Sequence, residues 1–75
     1  MKLEEFVQKF AEQFDETPAD VFTASTVFKE LEEWSSLTAL SVIAIVDEEL
    51  DKRITGADIR SSNTIEDLFS IIQSK

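Results

Sequence analysis

Cysteine, histidine and tyrosine are absent from this chain, and glycine and proline occur once each, as Gly56 and Pro18. Without cysteine there is no disulfide, no thiolate metal site and no thiol nucleophile. Without histidine, the usual base that activates a serine is missing. A chain of 75 residues makes a single domain, here residues 1–75, with a small core, and the usual staple for such a core is excluded. Side-chain packing has to hold the fold instead. Basic residues are also scarce: seven Lys and Arg stand against 16 Asp and Glu, a net charge of −9. Phosphate backbones and anionic membrane surfaces would be repelled, so neither nucleic acid binding nor membrane insertion is expected. Basic protein surfaces are the complementary partners. The longest uncharged run around Leu37–Val46 is too short to span a bilayer. Lys2, Glu4 and Glu5 interrupt any apolar leader, and the expected location is cytoplasmic.

What is present is helical periodicity. Leu3, Phe6, Val7, Phe10 and Phe14 recur at helical spacing, with Glu4, Glu5, Gln8, Lys9, Glu12 and Gln13 on the other face. This predicts a first amphipathic helix over about residues 2–14. Thr17-Pro18 followed by Asp20 is a helix-start signal for a short turn. Residues 15–35 then form a long connection, tied to the core by Val21, Phe22, Val27, Phe28 and Leu31. A connection of that length in a small domain is usually functional.

A second helix is expected from about Ser36 to Asp51. Ala39, Val42, Ile43, Val46 and Leu50 share its core face, while Leu37, Leu40 and Ala44 lie on the other side, next to Ser41, Asp47 and Glu48. Solvent normally selects polar residues there. The apolar stripe is therefore either a docking surface or the seat of the preceding loop. Lys52-Arg53 suits the negative end of that helix. Thr55 with Asp58, and Thr64 with Asp67, are capping pairs that start a short third helix near Gly56–Ser61 and a last helix carrying Ile65, Leu68, Phe69 and Ile72. No useful alternating strand pattern occurs. The expected fold is all-α, a four-helix bundle with a short third helix and a long loop between the first two.

Trp34-Ser35-Ser36-Leu37, followed by the apolar segment to Val46 and then Asp47-Glu48-Glu49-Leu50-Asp51, resembles the acyl carrier protein family. The resemblance extends to Phe28-Lys29-Glu30-Leu31 before the serine loop, Ile54-Thr55-Gly56-Ala57-Asp58-Ile59 at the third helix, and Asn63-Thr64-Ile65-Glu66-Asp67-Leu68 at the last. It implies that Ser36 carries a 4'-phosphopantetheine arm derived from coenzyme A. A phosphopantetheinyl transferase would install it, and acyl-processing synthase enzymes with basic docking surfaces would visit it. The implied protein is a non-enzymatic, monomeric carrier of thioester-bound acyl groups for fatty acid, polyketide or related synthesis. An aminoacyl carrier of nonribosomal peptide synthesis is an alternative. By the same resemblance, partners would meet Leu37, Leu40, Ser41, Ala44, Asp47 and Glu48. Phe28, Ile43, Val46, Ile54, Ile59 and Leu68 would line an acyl pocket or simply fill the core. The family usually has Asp directly before the modified serine, where this chain has Ser35, and acids where this chain has Thr38 and Ser41. That departure supports a second alternative, an unmodified interaction module with a carrier-like fold.

Elementary chemistry bears on the same serine. A hydroxyl in the first turn of a long helix sits beside unpartnered N–H groups and the positive end of the dipole, which favour an attached phosphodiester. Ser35 or Ser36 would also serve as an ordinary helix cap. Trp34 either packs the loop onto the domain or helps define partners. Asp47, Glu49 and Asp51 alternate as in a calcium loop, but Lys52 stands where the sharp turn needs glycine, and no site is assigned. Ser36 has no histidine to activate it, and the carboxylates have no evident cleft to separate their pKa values.

Overall fold

The computed structural model describes residues 1–75 and contains α1 (Leu3–Ala11), α2 (Ser36–Leu50), α3 (Gly56–Ser61) and α4 (Ile65–Gln73), with no β-strand. The protein is a small all-α bundle. α1 lies against both α2 and α4, and α3 rests on α4.

α1 stops at Ala11, short of the expected residue 14. The amides of Gln13 and Phe14 reach back only three residues, to the carbonyls of Phe10 and Ala11, at 3.1 Å each. This tightening ends the helix. Phe14 leaves the helix but stays buried, its ring 4.9 Å from that of Phe22.

The connection to α2 contains 3₁₀ turns at Ala19–Val21 and Phe28–Glu30, the first entered through Pro18 with φ −60°. Phe22 and Phe28 are buried and Leu31 is half-buried, but Val21 and Val27 are exposed, contrary to expectation. Phe22 directly after the first turn and Phe28 at the start of the second take the inward positions, which leaves the preceding valines on the outer side. The connection also caps α4. The carbonyls of Thr26 and Ala24 accept from the amides of Ile65 (3.2 Å) and Glu66 (2.9 Å).

Twelve buried apolar side chains form one cluster shared by the helices and the long connection. Phe10 is its aromatic centre, with ring neighbours Phe6, Phe14, Phe22, Phe28 and Trp34 at 5.3–6.3 Å. Trp34 therefore packs the end of the loop onto the domain. On α2, Val42 and Val46 are fully buried, while Ala39, Ile43 and Leu50 are half-buried. Ile45 also packs on the core, which the expected core face did not include. The helix closes at Asp51, in the left-handed region at φ 54°. Thr55–Asp58 and Thr64–Asp67 form the expected capping boxes at α3 and α4.

Candidate functional site

The start of α2 is held by a chain of hydroxyl contacts. The Thr38 hydroxyl donates to the Glu33 carbonyl at 2.9 Å. Its proton is thereby committed, so at the 3.2 Å contact between the two hydroxyls Ser35 is the donor. Ser35 Oγ in turn accepts the Thr38 amide at 3.4 Å, which makes Ser35 the helix cap. Ser36, the first residue of the helix, is exposed, and its hydroxyl takes no part in this bonding. The two adjacent serines thus have different jobs: one is occupied by the fold and one is free.

The electrostatics of this helix start are also distinct. The first turns of α1, α3 and α4 carry acids: Glu4 and Glu5, Asp58, and Glu66 and Asp67. The first turn of α2 carries none. The positive end of its dipole faces solvent beside Ser36 without a carboxylate of its own to neutralise it.

Leu37 and Leu40 are 74% and 61% exposed, and Ala44 is exposed beyond them. The loop does not cover them. Ser41 is half-buried and its hydroxyl donates to the Leu37 carbonyl at 3.2 Å, so it faces its own helix more than solvent. Asp47 and Glu48 are exposed further along, and neither forms an ion pair. Ser36, Leu37, Leu40, Ala44, Asp47 and Glu48 therefore make one accessible strip, from hydroxyl through apolar surface to acid.

Of the residues considered for an acyl pocket, Phe28, Val46, Ile54, Ile59 and Leu68 are buried and Ile43 is half-buried against them. They are packed as core. A groove of about 970 Å³ lies between α1 and the following loop and is lined by none of them.

Glu33 is a feature that the sequence did not flag. Its carboxylate accepts the amides of Asp15 (2.7 Å) and Thr17 (2.8 Å), the amide of Glu16 (3.1 Å), and the Thr17 hydroxyl (2.7 Å). The Thr17 hydroxyl, with these amides, holds the carboxyl below the ordinary glutamate range. Glu33 thus binds the start of the long loop with its carboxylate and the start of α2 with its carbonyl. A run of Glu30, Glu32 and Glu33 reads in sequence as a solvated acidic patch, and only the folded loop brings the donors to it.

No group of three or more ligating side chains converges on a point that would hold a metal ion. No helix is long and apolar enough to cross a membrane. No family model, curated protein or solved structure matches this chain.

Proposed function

We propose that this protein is an acyl carrier protein and that Ser36 is the attachment point for 4'-phosphopantetheine. The observation that carries the reading is the division of labour at the start of α2. Ser35 caps the helix, whereas Ser36 presents an exposed hydroxyl without a partner, next to the exposed Leu37. A phosphodiester there would meet a helix start free of acids in its first turn. When attached, the arm supplies the thiol that holds an acyl group as a thioester. The chain itself supplies an accessible hydroxyl, an apolar anchor for the modifying enzyme at Leu37 and Leu40, and acidic steering at Asp47 and Glu48. Small, polar, short-lived interfaces suit a carrier that visits several enzymes.

The test is incubation with coenzyme A and a broad-specificity phosphopantetheinyl transferase, read by intact-protein and peptide mass spectrometry. One adduct on the peptide containing Ser36, lost in Ser36→Ala and retained in Ser35→Ala, is the expected result. Ser35, standing where Asp is usual, favours a second reading, an unmodified interaction module. Absence of an adduct from both the natural chain and a Ser35→Asp variant would overturn the carrier reading and leave the interaction module.

A further inference from the structure

The groove between α1 and the loop that follows it lies apart from the Ser36 strip and shares only Thr17 with the Glu33 clamp. None of its lining residues lies on α2. One wall is the stripe Leu3, Val7 and Ala11 along α1, each half-buried. The buried Phe14 and Phe22 rings line it too, with the half-buried Ala24. At its edges stand Glu4 from α1, Glu12 just past the end of that helix and Asp20 from the loop, all exposed. None of these carboxylates is in an ion pair, and no Lys or Arg lines the groove.

We propose that this groove is a second docking site and that its occupant is an amphipathic helix of a partner protein, with lysine or arginine flanking its apolar face. Length, shape and charge each bear on this. At about 1.5 Å of rise per residue, Leu3 to Ala11 gives an apolar stripe on the order of 12 Å. A docked helix presents anchors at i, i+3 or i+4, and i+7 over roughly 10 Å, a matching span. The groove is open along one side, with exposed Gln8, Ala19 and Thr23 among its lining residues. An elongated partner segment suits this shape better than an enclosed small molecule, which a pocket would surround. The unpaired rim acids on a chain of net charge −9 select a cationic partner. The same charge opposes a second copy of this chain, nucleic acid and anionic lipid. The site does not depend on modification of Ser36.

The test uses two synthetic amphipathic helical peptides that share leucine anchors at i, i+4 and i+7. One carries lysine at its flanking positions and the other glutamate. Binding to the full chain is followed by fluorescence anisotropy and by amide chemical shifts. The lysine peptide is expected to bind and to shift the amides of Val7, Ala11 and Ala24, while the glutamate peptide does not bind. Neutralising the rim with Glu4→Gln, Glu12→Gln and Asp20→Asn should weaken binding about tenfold, from three exposed charge contacts. These exposed substitutions leave the core untouched, and circular dichroism checks the fold. Leu37→Ser with Leu40→Ser should leave the affinity unchanged. Equal binding of both peptides, shifts confined to Leu37 and Leu40, no binding of the lysine peptide, or an affinity indifferent to rim neutralisation would each overturn the proposal.

Discussion

The Thr38 hydroxyl donates to the backbone carbonyl of Glu33 at 2.9 Å, joining the first turn of α2 to the residue whose carboxylate gathers the amides of Asp15, Glu16 and Thr17. One residue therefore fixes both ends of the long connection. The loop start and the helix that presents Ser36 are tied through Glu33.

The adjacent serines should separate cleanly in a stability measurement. Ser35→Ala removes the α2 cap and is expected to cost about 1 kcal/mol, which in a domain of this size lowers Tm by roughly 6 °C. Ser36→Ala removes a hydroxyl with no partner in the fold and should change stability by no more than about 0.5 kcal/mol. Urea titration of both variants checks this. Equal losses would mean that the cap is not assigned to Ser35.

Glu33 should make the fold sensitive to acid. Its folded pKa is lowered, first by the Thr17 hydroxyl and then by the backbone amides. A lowered folded value means that the carboxylate stabilises fully above the ordinary glutamate pKa of about 4.3. That stabilisation is lost as pH falls through the lower folded value. Asp58 and Asp67 are lowered by the backbone amides of Thr55 and Thr64 in their capping boxes, and they act with the same sign. Tm should therefore fall below about pH 4. Glu33→Gln should lower Tm at neutral pH and flatten the acid limb. Thermal melts across pH decide it, and an acid limb unaltered in the variant would detach Glu33 from this behaviour.

If Ser36 is the attachment point proposed above, charge reversal on α2 should slow encounter with a phosphopantetheinyl transferase. Asp47 and Glu48 are exposed and unpaired, so Asp47→Lys with Glu48→Lys alters steering without disturbing packing. The association rate is expected to drop by about tenfold or more at low salt, with weaker salt dependence. Stopped-flow association across a salt series measures it. A rate equal to that of the natural chain would remove this end of the strip from docking.

Added salt should stabilise the fold. Lys9–Glu49 and Lys75–Asp58 are the ion pairs present, at 3.1 Å each. Lys29 and Lys52 donate instead to the carbonyls of Arg60 and Lys75, and Arg53 and Arg60 form no ion pair. Most of the excess negative charge is therefore uncompensated. Its self-repulsion is shortened to a range of about 10 Å at 0.1 M salt. Tm at neutral pH is expected to rise with NaCl and to rise further with millimolar Mg²⁺. A flat or falling Tm would show that net charge does not limit stability.

Phe10 should be the least replaceable side chain. It is fully buried, and its ring neighbours come from α1, the long loop and Trp34. Phe10→Ala is expected to cost about 3–5 kcal/mol, comparable with the whole net stability of a domain this small. Fluorescence of Trp34, the only tryptophan, should report a chain largely unfolded at 25 °C. A cooperative melt near that of the natural chain would displace Phe10 from the centre of the core.

By itself the sequence determined the four helices and the caps of α3 and α4, and narrowed the cap of α2 to Ser35 or Ser36. Ser35, Thr55 and Thr64 cap α2, α3 and α4 through side-chain bonds to residues three positions on, a relationship contained within a few neighbouring residues. Helical spacing likewise marked Phe6, Phe10, Val42, Val46, Leu68 and Ile72 for the core. The tertiary structure alone decided matters that depend on what lies across from a residue. Periodicity carried α1 to Phe14, but the Phe14–Phe22 contact takes that ring out of the helix and into the core. Val21 and Val27 are as apolar as their neighbours, yet turn outward because Phe22 and Phe28 take the inward positions. Leu37 and Leu40 were equally consistent with a covered and an open face until the path of the loop left them bare. Glu33 looked like one acid among several, and became a clamp only when residues 15–17 brought their donors to it. Caps and periodicity are local and therefore legible in the chain. Exposure, clamping and the α1 groove are set by contacts between segments distant in sequence, and only the packed fold specifies those.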